Sequence, residues 1–245
     1  MIIAMIPCRL KSVRLPNKPL IKVDGLTVIE HVLNRISLSK RINKIIICTE
    51  DIEIYNLYKN SKYQTVLTSN NFKNGTERIA YVAKNIKKAK LIIDIQCDNI
   101  FLNPHDLDNL VDYHISNPKF DIVVPHSLIN ETNNKNIVKL ISTFNGKIIS
   151  MSRHDIPYIF RKGNLILKKH LDFISFKPKA LEVFSTSNPQ YNESIEGIEL
   201  LRAIEIGLSL GTIRFKNNFP SINVSKDLVV ARKRMPSDKI RKLYK

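Results

Sequence analysis

The order of apolar segments along this chain of 245 residues predicts an α/β fold with a mostly parallel sheet and a mixed-sheet excursion in its second half. Two observations carry that prediction. Through residue 125, short and nearly continuous apolar runs alternate with helical patterns, as parallel strands covered on both faces do. After residue 136 the rhythm changes to closely spaced extended runs around turn residues, which read as antiparallel additions.

Taken in order, "IIAMI" (2–6) predicts a strand and "TVIEHVLNRISLS" (27–39) an amphipathic helix. "KIIICT" (44–49) is a second strand, followed by "EDIEIYNLYKN", whose leading acids suit a helix start. "YQTVLT" (63–68) is a third strand, and "GTERIAYVAKNI" (75–86) a helix with apolar residues at 79, 82, 83 and 86. "LIIDIQ" (91–96), "NPHDLDNLVDYHIS" (103–116) and "FDIVVP" (120–125) continue the alternation as strand, helix and strand. Residues 136–152 are two extended runs around Asn145-Gly146, a hairpin signal. "NLILKKHLDFISF" (164–176) reads as one extended run, and residues 192–211 as one amphipathic helix ending at Gly211. "TIRFK" (212–216) is a short strand, and "SKDLVVARKRM" with "PSDKIRKLYK" a helical, basic C-terminus. No repeat, low-complexity segment or linker divides the chain, so residues 1–245 read as one domain with an excursion around 136–190.

Hydrophobic residues make up 43% and charged residues 25%, globular rather than disordered values. No apolar stretch approaches the roughly 20 residues of a membrane span, and "MIIAMIP" lacks a signal-peptide pattern. Cys8, Cys48 and Cys97 are odd in number and lie in apolar contexts, which suits a reducing cytoplasm. The net charge of +17 raises nucleic acid or an anionic substrate as partner. The excess Lys is scattered among Ile and Asn, with no basic block interleaved with aromatics, so no nucleic-acid partner is expected.

Ligands of parallel α/β sheets bind beyond the carboxyl ends of the strands. Three polar clusters fall there: Arg9, Arg14 and Lys18; Asn74 to Arg78; and Gln96 to Asn99. Converging cations suit a polyphosphate, and Asp98 at a strand end suits Mg²⁺ shared with phosphate oxygens. On spacing alone, solvated loop arginines and a turn-forming aspartate explain the same pattern equally well. Likewise His170 alone reads as a core histidine, and Glu193, Glu196 and Glu199 as a solvated acidic stripe.

"IPCRLKSVRLPNKPL" (6–20) resembles the nucleotide-binding loop of the 3-deoxy-manno-octulosonate (Kdo) cytidylyltransferases, sugar nucleotidyltransferases whose loop reads approximately I-P-A-R-x-x-S-x-R-L-P-x-K-P-L. Arg9, Ser12, Arg14, Leu15, Pro16, Lys18 and Pro19 match. The likeness continues through "NGTERIA" (74–80), "IQCDNI" (95–100), "NIVKLI" (136–141), "SRHDIPY" (152–158), "KHL" (169–171) and "ESIEGIELLR" (193–202), ending near "INVSKDL" (222–228). The resemblance implies a Rossmann-like three-layer nucleotidyltransferase fold and a reaction joining an acidic 2-keto-3-deoxy sugar to CMP, with CTP as donor. It also implies roles for named residues: Arg9, Arg14, Lys18, Arg78 and Gln96 on CTP; Lys18 and Asp98 in catalysis; Asp98 on Mg²⁺. Gln96, Arg153, His170, Glu193 and Glu196 would face the sugar. A cytoplasmic homodimer, joined through the excursion, is implied as well.

Departures cluster at the chemistry. Q-G-D-E-P of the family is Gln96-Cys97-Asp98-Asn99-Ile100, and an aspartate expected in a V-D-T-P-E-D-L context is Asn223. Asn223 offers a metal a carbonyl oxygen but no charge. H-L-G-I-Y-G-Y becomes His170-Leu171-Asp172-Phe173-Ile174-Ser175-Phe176, without the tyrosines and glycines. A divergent synthetase and a nucleotide-binding relative with weakened chemistry both fit these changes.

Overall fold

The computed structural model describes residues 1–12, 14–158, 160, 166–216 and 221–244. A sheet of ten strands is its frame: β1 (Ile2–Cys8), β4 (Lys44–Thr49), β5 (Gln64–Leu67), β6 (Leu91–Ile95), β7 (Ile122–Ile129), β8 (Lys139–Ser142), β9 (Ile148–Ser152), β10 (Leu167–His170), β11 (Phe173–Phe176) and β12 (Leu210–Arg214). Two short strands, β2 (Lys22–Val23) and β3 (Leu26–Thr27), form a separate ribbon. The strand order is β5-β4-β1-β6-β11-β7-β10-β8-β9, with β12 also on β7. β5, β4, β1 and β6 are parallel neighbours, whereas β11 runs antiparallel between β6 and β7.

Helices start where the sequence supplies caps. α1 (Val28–Ser37) opens on a reciprocal Thr27–Glu30 capping box, and α3 (Gly75–Ala83) on Asn74, whose side chain accepts from Glu77 N at 2.8 Å. α2 (Ile52–Tyr58) lies between β4 and β5, and α4 (Pro104–Ser116) begins on a Pro after the cap Asn103. The apolar strand residues then divide between two cores, one on each sheet face. Ala4, Ile6, Ile93 and Ile95 pack towards α1 and α4, while Ile3, Met5, Ile92 and Ile174 pack towards α3 and α5 (Pro178–Thr186).

Four expectations need correction. The helix expected over 192–211 is α6 (Tyr191–Glu196), α7 (Glu199–Glu205) and β12, because Gly197 adopts φ 61 and ends α6 in a left-handed turn. The run at 164–176, apart from 164 and 165, which lie outside the described residues, breaks into β10 and β11 at Leu171 and Asp172. There the chain crosses from the β8 side of β7 to its other side, between β7 and β6. α5, opened by Pro178, was not expected, although Ala180, Leu181 and Phe184 form its buried face. After α8 (Ser225–Arg234) the basic tail makes two short 3₁₀ turns rather than an α-helix.

Candidate active site

The basic loop after β1 is folded back on the sheet. Leu10 N donates to Asp51 Oδ2 at 2.8 Å, and Asn17 N closes onto Leu10 O at 3.1 Å. Asn17 takes a left-handed conformation (φ 54) that turns the chain into a 3₁₀ turn starting at Lys18. This aims the Lys18 ammonium at Asp98 Oδ2, to which it donates across 80 residues of sequence. Arg14 reaches further, donating from a guanidinium NH2 to Asn223 Oδ1 at 3.1 Å. Arg9 is exposed, and neither it nor Lys18 is among the residues that line the cleft described below.

The floor is the β6–β11 ladder. Ile174 pairs with Asp94 and Phe173 with Ile95, and Gln96 N donates to Asp172 O at 3.3 Å just beyond the register. Side chains two apart on a strand share a face, so Asp94 and Gln96 point the same way. The segment at 221–223 closes this end: Ile222 N donates to Asp98 O at 3.2 Å, and Ser221 Oγ to Asp172 Oδ2. Burial raises the Asp98 pKa, against the pull of Lys18 and with the push of Asp172. Gly75 allows α3 to close onto β1, since a Cβ there would stand 3.0 Å from the Pro7 ring.

The other wall comes from the excursion. Arg153 donates from Nε to Glu196 O at 2.7 Å and from NH2 to Gly197 O at 3.1 Å. The left-handed turn at Gly197 thus fixes the arginine as well as ending α6. His170 borders the same space; burial lowers its pKa, partly offset by Asp172, and its Nε2 is buried without a partner. The result is a cleft of about 1080 Å³ lined by Arg14, Gln96, Asp98, Arg153, His170 and Asn223, among others.

Three expected residues are placed differently. Arg78 is buried outside the cleft lining, bonded to Glu50 and to Thr68 Oγ1, with its guanidinium near the Phe72 ring. Glu193 gives both oxygens to Arg202, at 2.6 Å each, and Arg202 also holds Glu77 at 3.1 Å. Glu196 accepts from Ser152 Oγ and Arg153 N; burial raises its pKa, but these bonds outweigh burial and lower it. It braces the wall rather than lining the cleft.

In their stead the cleft is lined by Asp94, Asp172 and Glu199, which sequence reasoning did not select. Asp94 left a readable signal, as the one polar residue inside the strand β6, "LIIDI". Glu199 gave none: it differs from Glu193 and Glu196 only by lying beyond the break at Gly197.

A cytidylyltransferase family profile matches residues 3–213, spanning the basic loop, the β6 end and both walls. The chain belongs to the cytidylyltransferase family. It is 31% identical over 229 residues to a 3-deoxy-manno-octulosonate cytidylyltransferase of Fusobacterium nucleatum, covering 92% of this chain and 93% of that one. An 8-amino-3,8-dideoxy-manno-octulosonate cytidylyltransferase of Shewanella pealeana is 28% identical, with 96% and 98% covered. Among solved structures, CMP:2-keto-3-deoxy-manno-octonic acid synthetase complexed with CTP superposes with a TM-score of 0.91 at 23% identity, covering 96% of this chain and 98% of that one. This cytidylyltransferase therefore shares that fold over nearly its whole length.

Proposed function

We propose that the cleft transfers CMP from CTP to an acidic 2-keto-3-deoxy sugar of the Kdo type, releasing pyrophosphate and feeding cell-surface lipopolysaccharide or polysaccharide synthesis. The observation that carries this reading is the convergence of Arg14, Lys18, Asp98 and Asn223, from three distant segments, at the carboxyl end of β1 and β6. Two of these cations rest on oxygens: Lys18 on Asp98 and Arg14 on Asn223. A triphosphate carries more negative charge than either partner and draws both cations to itself, which releases the two oxygens.

Those oxygens suit a hard divalent ion such as Mg²⁺, since Asp98 supplies a carboxylate and Asn223 a carbonyl, beside Asp172. Among the described residues no group of three acids, His or Cys is placed to hold a metal by itself. The donor set therefore fits an ion that completes its shell with phosphate oxygens and water. When bound, the ion neutralises developing phosphate charge and lowers the pKa of a coordinated hydroxyl. Lys18, Arg14 and Arg9 hold the triphosphate for in-line attack by the sugar's anomeric hydroxyl on the α-phosphorus; Gln96 positions the reactants. Arg153, held by three carbonyl oxygens, keeps guanidinium charge available for the sugar's carboxylate. His170 with its free Nε2 offers a neutral imidazole to a sugar hydroxyl. Arg78, Glu193 and Glu196 serve this site by holding its walls.

We assign the excursion around 136–190 a second role, in a homodimer. Phe144, Ile149, Tyr158, Phe160 and Ile166 are large apolar residues exposed within or beside it. Placement in the cytoplasm accords with the three free, buried cysteines and with a nucleotide substrate. No described helix is long and apolar enough to cross a membrane. Pyrophosphate release with CTP, Mg²⁺ and a panel of ulosonic acids tests the reaction. Release with one of them is expected; CTP binding without release from any would leave a nucleotide-binding relative that has lost its chemistry.

A further inference from the structure

Asp94 has no structural task. It is 2% exposed, yet neither carboxylate oxygen accepts a hydrogen bond from a described residue, and the side chain lines the cleft at the β6–β11 ladder. The Thr76 hydroxyl stands near enough to ease a charge there without forming an aligned bond. The charged groups acting on Asp94 are Glu199 and Asp172, both negative. Glu199, on α7 across the cleft floor, is half-buried; the cation that acts on it, Arg202, is already shared by Glu193 and Glu77. Burial raises both pKa values, and Glu199 raises that of Asp94 further.

An unpartnered carboxyl in a buried strand is destabilising, and its flanking residues, Ile92, Ile93 and Ile95, show that an apolar side chain is what the strand otherwise takes. A buried acid with no cation and a half-buried one whose cation is already engaged by two other acids, both open on a substrate cleft, are matched by a cation that the substrate brings. Triphosphate, sugar carboxylate and divalent ion are provided for elsewhere in the cleft, by Arg14, Lys18, Arg153 and Asp98. A pocket of two carboxyls and one hydroxyl has the three acceptors that a primary ammonium group, with three N–H donors, requires.

We propose that Asp94 and Glu199, with Thr76, form a subsite for a primary amine on the sugar, so that the substrate is an amino-substituted ulosonic acid. This rests on the cytidylyltransferase reading of the same cleft.

The test compares kcat/KM for ulosonic acids in which one hydroxyl at a time, at C4, C5, C7 or C8, is replaced by a primary amine. The expected result is that one amine raises kcat/KM at least tenfold over the hydroxyl parent. Asp94→Asn, nearly isosteric, then brings that ratio close to one, and Glu199→Gln lowers it in the same direction. Titration with CTP shows that each variant is folded. If the parent is turned over and no amine is preferred, or if both variants keep the preference, the subsite is refuted while the reaction stands. If wild type turns over none of the sugars, both readings fall.

Discussion

The two ends of the cleft handle charge in opposite ways. At the proposed triphosphate end two cations have partners of opposite sense, Lys18 on Asp98 and Arg14 on Asn223. At the floor, Asp94 is buried and Glu199 half-buried, and the charges acting on Asp94 are both negative. Behind the floor two other acids are satisfied: Arg202 ties Glu193 and Glu77 into one network. A carboxylate serves as scaffold where the chain supplies its cation, and as recognition element where it does not.

The contrast is broken most severely at Arg202. Its side chain is 1% exposed, so Arg202→Ala leaves Glu193 and Glu77 without their cation and is expected to destabilise the fold by about 3–5 kcal/mol. Chemical denaturation measures this, and an unchanged midpoint would show that the network carries no stability. Lys18→Ala comes next. It removes one charge-assisted phosphate contact and is expected to weaken CTP binding by about 1.5–3 kcal/mol, read by calorimetric titration.

Asp94→Asn sharpens the comparison from the other side, through stability without substrate. The folded-state pKa of Asp94 is raised, so the native protein binds its proton more tightly than the unfolded chain does. Its contribution is complete below the usual aspartate range near 4 and is lost as pH rises through the folded value. Removing the acid is therefore expected to stabilise the free protein at pH 8 by about 1 kcal/mol, a rise of roughly 2–4 °C in Tm, and to flatten the alkaline decline. A lower Tm at pH 8 would mean that Asp94 has a partner after all. The smallest effect belongs to Asn223→Asp. A second hard ligand beside Asp98 is expected to lower the Mg²⁺ concentration for half-maximal turnover, and an unchanged Mg²⁺ curve would place residue 223 off the metal.

Legibility in the sequence followed the same divide. The approach of the basic loop to Asp98 was readable because its parts are local: Arg9, Arg14 and Lys18 lie in one loop, and Asp98 follows a strand whose apolar run is unmistakable. The parallel strands were readable for the same reason, each being a short buried run. The floor was not readable, because it depends on register. Asp94 meets Asp172 and Glu199 only once β11 pairs antiparallel with β6 and α7 starts afresh after Gly197. Periodicity alone carried the helix straight through Gly197, and one φ of 61 moved Glu193 and Glu196 out of the cleft and Glu199 into it.

The buried Arg35 of α1 adds a question of timing. Its guanidinium is met by Tyr244 Oη at 3.1 Å and by Asp238 Oδ1 at 2.5 Å, residues 209 and 203 positions further along the chain. A ribosome adding about 5–20 residues per second reaches them roughly 10–40 s after Arg35 itself has been joined. Until then, of the acceptors named for Arg35 in the folded protein, the carbonyl of Leu102, at 3.2 Å, is the one already made, and the carboxylate that neutralises the charge is missing. Residues 238 and 244 thus act as a latch on α1 that is added late in synthesis.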